Sequence, residues 1–267
     1  MSFAASATSA TSATSAAFLG SSPATTNIGD LFSELKQAIQ SVLEKLGIGD
    51  EGGGSAPQAE ERKLVQSDNA ITADPLGVKD AYDLQLYREP SGDYTLEVHM
   101  GVDFNFNQGT DPAGNALQWT EQEKQAFMAD YQKSVEAVWD GRAIRTAPDG
   151  GEVKLDIKLD TRETMTGENW NIDVVRAAPG QFVRSYMSPS TNFASLDSND
   201  VIGVNKGAGD GVLQSGAAHE FGHMLGLDDE YTGGAHVDDL DSIMNAGSTV
   251  ESRHLQNFSD WVSQALR

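Results

Sequence analysis

Residues 216–231 read Gly-Ala-Ala-His-Glu-Phe-Gly-His-Met-Leu-Gly-Leu-Asp-Asp-Glu-Tyr. His219 and His223 are four residues apart, so on an α-helix both imidazoles lie on one face and are directed at the same point. Two imidazoles in this arrangement suit a tetrahedral cation, most often zinc. Glu220 follows the first histidine, where its carboxylate reaches a metal-activated water without binding the metal. That position suits the general base of a zinc hydrolase.

A glycine and an aspartate extend this motif. Gly226 lies three residues after His223 and can adopt a positive φ, which ends the helix and reverses the chain. The reversal predicts that Asp229 returns to the metal as a third ligand and completes the pattern H-E-x-x-H-x-x-G-x-x-D. His236, in the loop after Gly233-Gly234, is the alternative third ligand.

A second motif lies about twenty residues after His223. The segment Asp241-Ser242-Ile243-Met244-Asn245 resembles the Met-turn that runs beneath the zinc of metzincin metalloproteases. Together the two motifs resemble the metzincin clan, and the aspartate at the third ligand position resembles its snapalysin-like variant. The resemblance is firm over residues 212–248, looser over 80–211, and does not cover 1–58.

The resemblance implies both a fold and an activity. The expected fold is α+β, with a twisted mixed sheet, a backing helix, a zinc-site helix, a Met-turn and a C-terminal helix. The expected activity is zinc-dependent endopeptidase, with one catalytic Zn²⁺ on His219, His223 and Asp229, and Glu220 as base. Gly226 and Met244 support the site. The alternatives are a structural zinc site, which leaves Glu220 without a use, and a non-catalytic binding or adhesion module that retains the zinc-site scaffold.

The Met-turn departs from some metzincins. Asn245 and Ala246 follow Met244, so the switching tyrosine of astacin-like and serralysin-like enzymes is missing there. His254 is a candidate oxyanion donor near the expected S1′ wall, and the alternative is a surface histidine. Tyr231 either packs beside the site or belongs to the core or rim.

Composition limits the partners. The chain of 267 residues has 18 Lys and Arg against 40 Asp and Glu, a formal net charge of −22. This acidity argues against nucleic acid and anionic membranes, and a protein or peptide substrate remains the expected partner. The absence of cysteine excludes disulfides and cysteine-ligated zinc. No apolar run is long enough to span a bilayer.

We place a domain boundary between 1–58 and 59–267. Residues 1–27 are rich in Ala, Ser and Thr, 30–47 have the periodicity of an amphipathic helix, and 47–58 form a Gly-rich linker. This appendage suits export or docking, with secretion machinery or a chaperone as partner; an inert tail and a removable pro-segment are the alternatives. The first basic residue is Lys36, so no convincing Sec signal is present. We expect an exported bacterial protease or effector, and the cytoplasm is the alternative location.

Periodicity predicts the elements of the second domain. Alternating apolar residues indicate a strand over 94–107, and Thr120 with Glu123 forms a capping box that begins a helix over 119–140. The metzincin resemblance, not periodicity, implies that an edge strand within 182–204 lines the cleft and pairs with an extended substrate. The remaining elements are strands over 152–160, 170–177 and 181–187, the zinc helix over 212–226 and a final helix over 255–267.

A Ca²⁺ site is a second metal hypothesis. Asp103, Asn105 and Asn107 share one face of the first strand, and Gly109 and Asp111 follow. The glycine and the closing glutamate of an EF-hand are missing, so only a looser calcium site is compatible with the spacing.

Overall fold

The computed structural model describes residues 61–163 and 169–267. They lie within one compact unit, Ala59–Arg267. The predictions for 1–58 fall outside the described residues. The described part of the chain has a mixed α+β fold with a mixed sheet and three α-helices. None of these helices is both long enough and apolar enough to cross a membrane.

Five strands precede the first α-helix, five more lie between it and the second, and the second and third helices follow without a named strand between them. In order they are β1 (Lys63–Ala73), β2 (Val78–Arg88), β3 (Tyr94–Asn107), β4 (Gly109–Thr110), β5 (Ala116–Leu117), α1 (Glu121–Trp139), β6 (Ala143–Thr146), β7 (Glu152–Arg162), β8 (Trp170–Val175), β9 (Tyr186–Ser188), β10 (Phe193–Asp197), α2 (Gly216–Met224) and α3 (Gln256–Ala265). A 3₁₀ turn, Ser252–Leu255, leads into α3.

The main sheet is organised around β3. Its strand order is β1-β2-β3-β8-β10-β9, with β7 also beside β3 and β6 beside β7. β3 is antiparallel to β2 and parallel to β7 and β8. β9 is antiparallel to β10 and ends the path, so it is an edge strand of the sheet.

The predicted strand over 94–107 and the long helix are confirmed. The alternating residues of β3 from Tyr94 to Phe104 are buried, as the period of two requires. Thr120 Oγ1 accepts from Glu123 N at 3.2 Å, and Glu123 Oε2 accepts from Thr120 N at 2.9 Å, which closes the capping box of α1. Tyr131 of α1 packs edge-on against Phe104 with ring centroids 5.1 Å apart. Helix and sheet therefore share one apolar core.

Several predicted boundaries need correction. The helix predicted over 212–226 begins at Gly216, because Ser215 caps it and Gln214 pairs with Val204 in a β-bridge. Of the predicted strand 181–187, only the part from Tyr186 pairs, as β9. The final helix begins at Gln256, after the 3₁₀ turn. The hairpin of β1 and β2 was not predicted.

Candidate metal and active site

One face of α2 packs against α1. Trp139 of α1 donates from Nε1 to the Ala218 carbonyl at 3.1 Å, and its ring packs edge-on against Phe221. His219 and His223 emerge from the other side, with ring centroids 4.9 Å apart and planes at 86°. The four-residue spacing therefore places both imidazoles at one point, as expected.

Gly226 ends the helix in the predicted way. Its φ is +95°, a conformation that L side chains rarely adopt. A Cβ there would lie 2.7 Å from the carbonyl carbon of Ala73 and from the carbonyl oxygen of Asp74. Both the turn and this close approach require glycine. The chain then reverses and brings Asp229 back to the histidines.

The three predicted ligands meet. Asp229 Oδ1 lies 3.3 Å from His219 Nε2 and 3.1 Å from His223 Nε2. Within the described ranges, these three residues are the one group of His and carboxylate side chains close enough to share an ion. His236, the alternative third ligand, is exposed and does not belong to this group.

The chemistry of these atoms fits a cation. His219 Nδ1 lies 2.8 Å from the Ile243 carbonyl oxygen, and His223 Nδ1 lies 2.7 Å from that of Leu227. A carbonyl only accepts, so each Nδ1 carries the proton and each neutral Nε2 presents a lone pair. Asp229 Oδ1 is buried and has no hydrogen-bond donor. Three acceptors face one point, an arrangement that a cation between them stabilises.

The separations also suit zinc. Zinc bonds of about 2.0–2.2 Å at tetrahedral angles hold ligand atoms roughly 3.3–3.6 Å apart. The Oδ1–Nε2 distances of 3.1 and 3.3 Å are close to that value.

Glu220 lies beside the ligands without joining them. It is 7% exposed, and its Oε2 is buried with no hydrogen-bond partner. Burial raises the pKa of Glu220, while the two neighbouring histidines act in the opposite direction. A carboxylate with raised pKa and a free oxygen beside a cleft is suited to accept a proton.

The Met-turn supports the helix from below. Met244 is fully buried, and a Cβ at Gly222 would lie only 2.3 Å from its sulfur. Gly222 occupies the second variable position of H-E-x-x-H. Because it has no side chain, the Met244 sulfur can pack directly against the helix. The place of Met244 beneath the helix is what the Met-turn resemblance implies, whereas the need for glycine at position 222 was not predicted.

Gln214 was also missed. It is buried, and its Nε2 lies within donating distance of three carbonyl oxygens in and just after the Met-turn segment, those of Ile243, Asn245 and Gly247, at 2.8–3.0 Å. Ile243 is the residue whose carbonyl accepts from His219. Gln214 thus positions the carbonyl that orients a ligand.

His254 lies in an environment that we did not expect. It is 4% exposed, so the surface alternative is wrong. Nδ1 accepts from the Glu251 backbone amide at 3.0 Å, and Nε2 lies 3.2 Å from Glu230 Oε1. Both nitrogens are thus engaged inside the protein. Glu230 also binds Arg253 through both carboxylate oxygens, which fixes the segment that follows Asp229.

Two cavities lie beside the predicted ligands. The first has a volume of about 480 Å³ and the second of about 290 Å³. Both are lined by five shared residues, Arg184, Ser185, His219, Glu220 and Tyr231. β9 lines the second cavity through Tyr186 and Met187. The edge strand expected within 182–204 is therefore β9. The Tyr231 ring stacks over His219, with centroids 6.3 Å apart, at the rim of the cleft.

The described contacts give no support to the calcium hypothesis. Asp111 accepts from the backbone amides of Ala113 and Asn115, so its carboxylate closes a turn. Asn105 donates to Asp173 on the neighbouring strand.

Comparison with known proteins does not assign a family. No protein-family model matches the chain, and no curated protein is significantly similar to it in sequence. The site itself combines three converging acceptors, one buried carboxylate beside them, and a cavity on each side.

Proposed function

We propose that the protein is a zinc-dependent endopeptidase with a metzincin-like fold. The observation that carries this proposal is the convergence of His219 Nε2, His223 Nε2 and Asp229 Oδ1 beside Glu220, whose Oε2 has no hydrogen-bond partner. A structural zinc site has no use for such a carboxylate, whereas a hydrolase needs it as a base.

The residues divide the chemistry among them. A bound zinc ion would lower the pKa of a water molecule and polarise the scissile carbonyl. Glu220 accepts the proton of the attacking water at Oε2 and passes it to the leaving amine nitrogen. Tyr231, which lines both cavities, supplies a hydroxyl donor for the carbonyl oxygen as negative charge develops.

Substrate binds along the edge of the sheet in this proposal. β9 pairs with β10 on one side and leaves backbone groups on its other edge. An extended peptide adds to such an edge by main-chain hydrogen bonds, and alternate side chains enter the flanking cavities. A cavity on each side of the predicted ligands can accept residues on both sides of a peptide bond, which suits cleavage within a chain.

We further propose export from a bacterial cell, with residues 1–58 as an export or docking appendage. The support for this is the Ala, Ser and Thr composition of 1–27 and the apolar periodicity of 30–47. Fractionation of cells that express the full chain tests it. Confinement to the cytoplasm would contradict export.

Metal content and proteolysis, measured side by side, test the enzymatic proposal. Wild type and Glu220→Gln should each bind one zinc per chain, because Glu220 is not a ligand. Only wild type should degrade denatured casein, and a chelator should abolish that activity. A rate loss of at least about 10² for Glu220→Gln is expected for removal of a general base. Zinc-loaded wild type that cleaves nothing, or a fully active Glu220→Gln, would reject the mechanism.

A further inference from the structure

The first cavity carries positive charge in an otherwise strongly acidic protein. The chain has a net charge of −22, yet Arg184 and Lys206 both line this cavity. Of the described residues around it, Glu220 alone carries a carboxylate, and the proposed function uses that group as the base. The cavity is therefore a basic region beside the scissile bond.

Among the described residues neither cation is held in an ion pair, although the charge of Lys206 acts on the buried carboxylate of Asp200. In the described part of the chain, Arg184 and Lys206 form no ion pair, whereas Arg253, Arg176 and Lys124 each bind a carboxylate. Lys206 Nζ lies 5.4 Å from the centroid of the Phe182 ring, a contact that leaves its donors available. The carboxylate of Asp200 behind the cavity is buried and accepts from Ser185 and the Asp197 amide.

The other walls of the first cavity suit the methylene groups of a substrate side chain. Phe182 is 70% exposed and Leu240 is 45% exposed, and both line the same cavity. Its volume of about 480 Å³ is enough for a side chain of a bound peptide. A side chain with methylene groups and a terminal charge would contact these apolar walls and the two cations together.

We infer that the enzyme prefers peptides that place a glutamate or aspartate side chain in the first cavity, where Arg184 and Lys206 bind its carboxylate. This inference rests on the proposed function and names its substrate class. The second cavity lacks Lys206 and is bordered by Asp228 and Asp229, so the preference applies to one side of the scissile bond only.

A peptide library of unbiased sequence tests the preference for acidic side chains. Cleavage sites are mapped by mass spectrometry for full-length wild type and for Arg184→Gln/Lys206→Gln. The control is Lys63→Gln/Lys133→Gln, which changes the net charge equally at two exposed, unpaired lysines away from the cleft. Wild type and control should show acidic residues enriched on one side of the cleaved bond, and the cavity variant should lose that enrichment.

Matched peptides then give the magnitude. A Glu peptide should exceed its Gln counterpart in kcat/KM by about three- to tenfold, because exposed charge pairs contribute modestly. The ratio should decrease at high salt, and Arg184→Glu/Lys206→Glu should favour Lys over Gln. One set of these peptides carries a C-terminal amide, and a second set of the same sequences carries a free C-terminus.

The outcomes separate this inference from the proposed function. Equal cleavage of Glu and Gln peptides, still dependent on Glu220, overturns the charge preference and leaves the endopeptidase intact. A preference only for the free C-terminus overturns the side-chain assignment, because the cavity then binds the chain end. No cleavage of any peptide by zinc-loaded wild type overturns both.

Discussion

At the scale of single residues, the site is determined by which nitrogen of each histidine holds the proton. The carbonyls of Ile243 and Leu227 accept from Nδ1 of His219 and His223, which leaves both Nε2 lone pairs directed at Asp229 Oδ1. Outer contacts of this kind commonly orient metal-binding histidines. The tautomer follows from the fold, since both carbonyls lie outside the helix that carries the histidines.

Tyr231 supports a prediction at this scale. Its ring stacks over His219, and its hydroxyl is protonated at neutral pH because burial and the nearby Asp229 carboxylate raise the pKa of Tyr231 to about 12. Tyr231→Phe should lower kcat about ten- to a hundredfold with little change in KM, since it removes a donor used in the transition state. Steady-state kinetics on one peptide check this. A change confined to KM would make Tyr231 a binding residue instead.

Gly226 supports a second prediction. Gly226→Ala should lower the free energy of unfolding by about 2–4 kcal/mol, because it combines a positive φ with backbone atoms 2.7 Å from the new Cβ. Gly211→Ala is the control: φ there is +81°, but nothing lies within 4 Å. Gly211→Ala should lower the free energy of unfolding by only about 1–2 kcal/mol. Urea unfolding measures both, and equal losses would show that the contact with Ala73 and Asp74 is unimportant.

At the scale of elements, Asp200 connects the segment entering β9 with the start of α2. Its Oδ2 accepts from Ser185 Oγ at 2.6 Å, and its backbone oxygen accepts from Ser215 Oγ at 2.8 Å. Asp200 thus holds the segment before β9 against the start of α2. Gln214 makes the corresponding connection between α2 and the Met-turn.

Asp200 should also impose a pH dependence on stability. Burial raises its pKa from 3.8 to about 6, so the folded state binds a proton more tightly than the unfolded state between these values. The free energy of unfolding should therefore fall by about 2–3 kcal/mol as pH rises from 4 to 6, from this group alone. Asp200→Asn should remove that slope. Denaturant titrations at several pH values measure it, and parallel slopes in both proteins would contradict the assignment.

Glu230 acts in a lower pH window and with the opposite sign. Hydrogen bonds from Arg253 outweigh burial and lower the pKa of Glu230 to about 2. Its stabilising contribution is present above about pH 4.5 and is lost as the pH falls toward 2. The two groups can therefore be separated by the pH at which stability changes.

At the scale of the whole molecule, the ligands come from two sides of a reversing chain, so metal binding should stabilise the entire fold. Removal of zinc should lower Tm by roughly 5–15 °C, as expected for the loss of a ligand bound only by the folded state. Calorimetry with and without chelator measures the shift. Glu220→Gln should retain the shift and Asp229→Ala should lose most of it; an unchanged shift in Asp229→Ala would place the third ligand elsewhere.

The sequence by itself determined the features that depend on neighbouring residues. The spacing of His219 and His223, the glycine at 226, the capping box of α1 and the alternation of β3 all act within one or two turns or along one strand, so their periodicity is visible in the chain. The N-terminus of α2 was placed too early because Ser215 and Gln214 are fixed by distant partners, Asp200 and the Met-turn.

Only the tertiary structure decided which distant residues share an environment. Arg184 and Lys206 line one cavity, Met244 lies under Gly222, and His254 is buried against Glu230. Each of these pairs joins separate segments of the chain. No local pattern encodes such contacts, because they depend on how the sheet, α2 and the Met-turn pack together. The convergence of His219, His223 and Asp229 was therefore predictable, whereas the charge of the cleft and the roles of Gln214 and Gly222 were not.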